Sequence, residues 1–386
     1  MRVRVATLNV WGLPEPFSER PSKRLKAIGA RLAGLDLDVM AFQEVWTPDA
    51  RRVLSAAGHR AGLVNAWHKR SVFGGSGLLV LSRLPIAEKQ FHRFTLRGLP
   101  ERVDQADYYG GKGFVRIRLQ TDQGPLTIID THLQARYAQD DPFGYRAHRA
   151  GQIVELAMAA HRMRDPIIAV GDFNMSEEQP EYAVLTGLTR LRDVAAGHGR
   201  RQATVSTENA YRVGSRRERR VDYIFARDGS QRGLASVHVE RVFDEPLDFR
   251  GRRASYSNHA GVLAEFEISD TRRALTAPDR GAIALAERML SEGRAKAERR
   301  QRGGRAWASA GIGCAVLAAA GMRSVDLSRR RLLRASLQCA ALGALAPGVG
   351  LSILSEIFVP GEIRAFEALA DRLGRLDPDA VEQFLA

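Results

Sequence analysis

Through the first 269 residues the chain alternates two kinds of hydrophobic pattern. Short runs rich in Val, Ile, Leu and Phe, bounded by Gly, Pro, Asn or Asp, predict strands: VRVATLNV, DVMAFQEV, SGLLVLSRL, FVRIRLQT, LTIIDTHL, IIAVGDFN, VDYIFA and GVLAEFEI. Between them, SKRLKAIGARLAGL and YRAHRAGQIVELAMAAHRM carry apolar residues near three- and four-residue spacing and predict helices. Strands interleaved with helices imply layered α/β packing, and no internal repeat is visible in the sequence.

The pattern changes beyond residue 270. Residues 270–305 predict a basic, partly amphipathic helix, and 306–322 is a run of 17 residues without a charge. A basic link, RSVDLSRRRLLR, leads to 335–355, another 21 uncharged residues, which include Gln338 and an internal Pro-Gly. A helix crossing a bilayer needs about 20 apolar residues, within roughly 17–25. The second run meets that length and the first only just, so 306–359 is expected to form a hydrophobic hairpin that anchors the chain to a membrane; the alternative is a buried hairpin in a soluble domain. Both flanks of the first run are Arg-rich, which leaves orientation open. Residues 360–386 predict an acidic amphipathic tail.

Composition sharpens this division. The chain of 386 residues is 45% hydrophobic and 26% charged, as globular proteins are, with a formal net charge of +14. Residues 270–334 hold 15 Arg and Lys against 6 Asp and Glu, whereas 335–386 hold 3 against 7. A dense basic block suits nucleic acid or an anionic membrane surface; next to apolar runs the membrane fits better. Cys314 and Cys339 are too few for a disulfide framework and are expected to be small buried hydrophobes. No long apolar run precedes the first strand, so no cleavable signal peptide is expected.

Several strands end in residues suited to metal or phosphate chemistry: Asn9, Glu44, His132, Asp172 and Asn174, with Asp222 opening a strand and His259 just ahead of one. Singly each has an ordinary explanation, such as a turn, a cap or a core histidine. Together they make a site, because Mg²⁺ takes one or two carboxylates and keeps its waters and substrate phosphate oxygens. Glu44 is the expected metal ligand with Asn9 beside it. His259 paired to Asp222 is the expected proton acceptor. His132 and Asn174 would donate to the phosphate in the transition state, and Asp172 would orient the water or the imidazole.

The motifs LNVWGLP, QEVWT, YYGGKGF, THLQARY, AHRAGQIVELA, GDFNM, VDY and SNH resemble the DNase I-like endonuclease/exonuclease/phosphatase superfamily, over roughly residues 3–268. Within it the chain is most similar to membrane-anchored neutral sphingomyelinases. The resemblance implies a four-layered α/β sandwich over residues 1–269, two central β-sheets flanked by helices, followed by the helical, hydrophobic C-terminal region. It also implies a Mg²⁺-dependent phosphodiesterase, with Mn²⁺ or Co²⁺ as substitutes, acting on sphingomyelin or a related phospholipid. Lys112 matches a Gly-Lys element of those enzymes and would contact phosphate, although a surface lysine in a glycine loop is the ordinary reading. One position departs: the superfamily reads S-D-H where this chain has Ser257, Asn258 and His259. Asn258 keeps the shape and an acceptor oxygen but loses the charge, which predicts weaker metal binding before any loss of the base.

The competing readings are a Mg²⁺-dependent nuclease, which explains the basic charge but not the apolar runs, and a membrane-tethered scaffold with a decayed site, supported by Asn258 alone. Trp67, Phe73, Tyr108 and Tyr109 are candidates for either a headgroup-facing rim or the core.

Overall fold

The structure is a computed structural model that describes residues 1–69, 75–102, 105, 108–137, 145–212, 217–270, 276–324 and 331–376. In chain order the elements of the first part are β1 (Arg2–Asn9), α1 (Pro21–Leu32), β2 (Val39–Gln43), α2 (Pro48–Arg60), β3 (Asn65–His68), β4 (Leu79–Ser82), β5 (Ile86–Arg93), β6 (Gly113–Thr121) and β7 (Gly124–His132). There follow α3 (Arg146–His161), β8 (Ile167–Asp172), α4 (Pro180–Thr189), β9 (Arg192–Asp193), α5 (Val194–Gly197), β10 (Asp222–Arg227) and β11 (Gly233–Val242). Two short strands, β12 (Leu247–Asp248) and β13 (Arg253–Ala254), precede β14 (Gly261–Ser269).

The long strands make two six-stranded sheets, ordered β11-β14-β1-β2-β4-β3 and β5-β6-β7-β8-β10-β9. Each sheet has one parallel pair at its centre, β1 with β2 and β7 with β8, and antiparallel neighbours elsewhere. The sheets face one another across a seam of Val3, Val5, Val39 and Ala41 on one side and Ile117, Ile128, Ile168 and Val170 on the other. Residues of opposite parity, Ala6, Leu8, Met40 and Phe42, pack outward with Leu25, Ile28 and Leu54 of α1 and α2. Strands covered on both faces carry unbroken apolar runs, which is why β1 and β2 read so clearly in the sequence. α2 starts where Pro48 fixes the first turn and Thr47 Oγ1 accepts from Ala50 N at 3.1 Å.

The inward-facing positions are graded along the seam. β1 runs Val3, Val5, Thr7, Asn9; β2 runs Val39, Ala41, Gln43; β7 runs Ile128, Asp130, His132; and β8 runs Ile168, Val170, Asp172. One end of the seam is therefore apolar and the other polar. At the transition, Gln43 Nε2 donates to Asp130 Oδ1 at 2.7 Å and to Thr7 Oγ1 at 3.0 Å, joining the two sheets. Burial pushes the Asp130 carboxyl well above the usual carboxylate range, because charge is costly where water is absent.

The remaining helices are α6 (Arg280–Ser324), α7 (Arg331–Ile353) and, after a wide turn at Leu354–Phe358, α8 (Val359–Gly374). The basic segment and the first apolar run thus form one continuous helix of 45 residues, and α7 carries the Pro-Gly internally at Pro347. Two compact units are distinguished: Met1–Glu287 together with the stretch from Arg372, and Arg288–Asp371. In the second, α6 and α7 approach closely at glycines, and a Cβ at Gly311 would lie 2.9 Å from the Ala344 carbonyl oxygen. Such contact between small residues allows two backbones to pack without large side chains. Arg305 forks onto Glu356 at 2.6 and 2.8 Å, and Arg300 pairs with Glu362.

Both apolar helices are long and apolar enough to cross a membrane, with only 11% and 17% of their apolar windows buried. Leu317 and Leu342 are 73% and 68% exposed. Cys314 and Cys339 are exposed as well, against the expectation of burial. They sit on helix faces that the hairpin does not cover, so apolar neighbours in sequence did not imply neighbours in space.

Candidate active site

The polar end of the seam collects the predicted residues. In each sheet the parallel pair ends at this edge, where open α/β sheets place their sites. Asn9 closes β1 and Glu44 follows β2, while His132 closes β7 and Asp172 closes β8. Asp222 opens β10 directly opposite Asp172 in the antiparallel register, and His132 lies opposite Asp172 in the parallel one. His259 arrives on the loop before β14.

Asn9 ties the carboxylates together. Its Nδ2 donates to Glu44 Oε1 and to Asp172 Oδ2, both at 2.9 Å, while its Oδ1 accepts from Trp11 N at 3.0 Å. The amide nitrogen, rather than the oxygen, faces the carboxylates. Asn9 therefore acts here as the bridge that sets the spacing of Glu44 and Asp172. Trp11 and Glu44 both adopt left-handed backbone, at φ 47° and 60°, a cost that non-glycine residues bear where surroundings enforce it. What enforces it is a turn in which Gly12 N donates to the Glu44 carbonyl oxygen at 3.0 Å. A Cβ at Gly12 would come within 2.5 Å of that same oxygen, so no other residue fits.

His259 and Asp222 form the expected pair, with Nδ1 at 2.8 Å from Asp222 Oδ2. That bond fixes the proton on Nδ1 and leaves Nε2 as the acceptor. Burial works against protonation of His259, but the charge of Asp222 and its hydrogen bond outweigh burial and raise the imidazole above its ordinary range. Thr204 Oγ1 accepts from the Asp222 backbone at 3.2 Å and the Thr204 carbonyl accepts from Ala260 N at 2.8 Å, so one residue holds both partners of the pair. Asp172 is pushed up to about 6 by burial and then by the Asp222 charge beside it.

Lys112 is buried, with Nζ 3.1 Å from His132 Nε2 and donating to the Leu133 carbonyl at 2.8 Å. It is not a surface lysine in a glycine loop. Burial and then the Lys112 charge hold His132 well below the usual range, so its ring is neutral. Asn174, at φ 50°, donates its backbone N–H to Asp172 Oδ1 and its Nδ2 to the Leu133 carbonyl, at 2.9 and 3.1 Å. Asn258 is half-buried and its Oδ1 accepts from Ser257 Oγ at 3.3 Å.

The donor set fits a hard divalent cation. Glu44, His132 and Asp172 each offer a ligand atom within 4.8 Å of the others, as do Asp172, Asp222 and His259. Glu44 is half-buried and makes no ion pair among the described residues, and one oxygen of Asp222 is buried without a partner. Closely spaced carboxylates, one with a buried oxygen left unpartnered, favour a cation with oxygen ligands.

Arg24 is a residue that sequence reasoning missed. Fully buried in α1, it donates to four backbone carbonyls: Val10 at 2.8 Å, Trp11 at 2.8 Å, Glu19 at 2.7 Å and Tyr256 at 3.1 Å. Its guanidinium lies 4.9 Å over the Trp11 ring and 5.7 Å over that of Tyr211. Burial lowers it to about 10. It thus joins the turn after β1, which bears Asn9, to the loop that bears His259. Of the aromatic candidates, Trp67 is buried in the seam against Phe91, Tyr109 is 53% exposed and Tyr108 packs on it edge to face; Phe73 lies outside the described residues.

The sequence pattern of the Endonuclease/Exonuclease/phosphatase family matches residues 6–270. A putative neutral sphingomyelinase of Drosophila melanogaster is 30% identical over 278 residues, covering 69% of this chain and 61% of that protein. An inositol phosphosphingolipids phospholipase C of Schizosaccharomyces pombe is 32% identical over 198 residues, covering 50% of this chain and 45% of that protein. The chain therefore spans less than two thirds of either relative. Among solved structures, a Staphylococcus aureus beta toxin mutant with bound magnesium ions superimposes with a TM-score of 0.54 at 19% identity, covering 68% of this chain and 99% of that one. That likeness shows the fold.

Proposed function

The chain belongs to the Endonuclease/Exonuclease/phosphatase family, and from that premise we propose that it is a phosphodiesterase of phospholipase C type. Its substrate is a phosphosphingolipid, sphingomyelin or a related lipid, cleaved to ceramide and a phosphorylated headgroup. The observation that carries this reading is the His259–Asp222 pair set 2.8 Å apart against the Glu44–Asn9–Asp172 cluster. The sphingolipid specificity is supported by the two relatives, and Mg²⁺ by the donor set and by the magnesium-bearing toxin of the same fold.

The residues divide the chemistry between them. His259 Nε2 takes a proton from a water while Asp222 holds the imidazole in its tautomer and stabilises the charge it acquires. The water oxygen attacks phosphorus opposite the ceramide oxygen, and the P–O bond to ceramide breaks. The departing ceramide oxygen takes a proton from solvent, and His259 later returns its own to solvent. Lys112 and Asn174 bring donors to the phosphate oxygens, where negative charge gathers in the transition state. Glu44, with Asp172 across the Asn9 amide, would hold Mg²⁺, or Mn²⁺ or Co²⁺ in its place. When bound, the ion supplies neutralisation of the phosphate and of the leaving oxygen.

Residues 306–359 serve as the membrane anchor, which keeps the site at a high effective concentration of lipid. The deciding experiment gives the full chain sphingomyelin vesicles, ceramide phosphoinositol vesicles and plasmid DNA in parallel, with Mg²⁺ and with chelator. Metal-dependent ceramide release is expected. Cleavage of DNA with both lipids untouched would establish the nuclease reading instead.

A further inference from the structure

The motif AHRAGQIVELA forms much of α3 and supplies no group to the proposed hydrolysis, yet it buries polar side chains on one face. Arg149 and Gln152 stand three residues apart, a spacing that brings side chains together on a helix, and both are fully buried. Two nitrogens of Arg149, Nε and one terminal nitrogen, donate to Glu181 Oε1 at 3.1 and 2.7 Å. Its other terminal nitrogen donates to the Gln134 carbonyl at 3.2 Å. Gln152 Oε1 accepts from Gln134 N at 2.9 Å, while Gln152 Nε2 donates to the Leu96 carbonyl at 2.7 Å. The two side chains thus hold both backbone groups of Gln134, a fully buried residue in the irregular stretch after β7.

What Gln134 adjoins gives this clamp its use. The preceding carbonyl, that of Leu133, is the acceptor shared by Lys112 Nζ at 2.8 Å and Asn174 Nδ2 at 3.1 Å. Those are the two groups that bring donors to the phosphate in the proposed mechanism. Leu133 C=O and Gln134 N–H are opposite edges of one planar peptide unit. Gln152 grips one edge, Lys112 and Asn174 rest on the other, and Arg149 holds the next carbonyl, so the unit cannot turn. Apolar side chains would fill the same space at less cost than a buried Arg–Glu pair. What the polar residues add is a fixed direction for the Leu133 carbonyl.

We propose that Arg149 and Gln152 are positioning residues for hydrolysis: through the Leu133–Gln134 peptide they set the aim of Lys112 and Asn174 at the phosphate. This rests on the phosphodiesterase reading above. The test measures kcat and KM of the full chain with Mg²⁺ on sphingomyelin, ceramide phosphoinositol and plasmid DNA. The variants are Q152M, R149K, N174A, and N174A combined with each of the first two. Q152M keeps the volume and removes the acceptor; R149K keeps a charge against Glu181 but loses the fork that also reaches Gln134. Each is expected to lower kcat by about 10–100-fold, the scale of a misplaced transition-state donor, with KM within about twofold. Asn174 is one of the two groups the peptide places, so either fall should shrink by about threefold or more in the N174A background. A contribution to folding alone would multiply through unchanged. All rates are taken below the lowest melting temperature of the set, so each variant is compared as a folded protein. Wild-type kcat in both Q152M and R149K, a rise in KM in place of the fall in kcat, or equal falls in the two backgrounds overturns the positioning role. Turnover of DNA with both lipids untouched overturns the lipid reading alone, and the comparison is then read on DNA. A wild type inert on all three substrates overturns the phosphodiesterase reading and the positioning role with it.

Discussion

In the proposed mechanism the imidazole of His259 works only when unprotonated, and Asp222 favours its protonated form. Activity should therefore fall as pH drops through a value above that of an ordinary histidine. Exchange of Asp222 for Asn removes the charge that raises His259, so the acidic limb of kcat/KM should move to lower pH while kcat falls by about 10²–10⁴. A D222N profile with its limb unmoved would remove His259 from the role of base. The neighbouring residue makes a separate prediction. Asn258 occupies the place of a carboxylate in the superfamily pattern, so N258D should lower the Mg²⁺ concentration needed for half-maximal activity; metal titrations of initial rate check this. An unchanged midpoint would mean that the amide serves as well as the acid.

Among the elements, α1 has a task beyond packing. It carries Arg24 to four carbonyls drawn from two loops, and R24M would leave those carbonyls unpaired in a dry interior. A loss of about 2–4 kcal/mol in urea unfolding is expected, with kcat falling even where the variant is folded, because Asn9 and His259 lose a common support. Nothing in SKRLKAIGARL distinguishes Arg24 from the basic residues around it; only the folded chain shows that it points inward. The same logic sorts the strands. The eight central or near-central strands were legible because their apolar positions are regular, continuous where both faces are buried, as in β2, β4 and β8, and alternating with charged residues in β6 and β14. β3, β5 and β11 were not read, and each lies at the edge of its sheet. β5, IAEKQFHR, is half-buried or exposed throughout, and edge strands carry such charge as a defence against pairing with other chains. Most site residues were readable as strand ends and Lys112 through its GGKG motif, but that Lys112 is buried against His132 depends on which loops meet, and short-range pattern is silent on that.

At the scale of the whole molecule the chain divides its labour between a sandwich that holds the chemistry and a hairpin whose apolar surface is left uncovered. If that surface is the anchor, L317E together with L342E should abolish flotation of the protein with vesicles, while turnover of a detergent-dispersed substrate persists. Flotation unaffected by two acidic residues in these helices would assign the hairpin another partner. Composition announced this division plainly, since the two charge-free runs are longer than any in the first 269 residues.

The order in which the chain visits its two sheets has a consequence in time. It begins in one sheet, spends Ile86–Arg227 building the other, and returns to the first with β11 and β14. Asn9 and Glu44 are thus synthesised early, His132, Asp172 and Asp222 on the excursion, and His259 almost at the close of the sandwich. A ribosome-bound chain stalled before β14 emerges has every carboxylate of the site and no base. In the proposed mechanism, hydrolysis would begin only once His259 has been brought to Asp222.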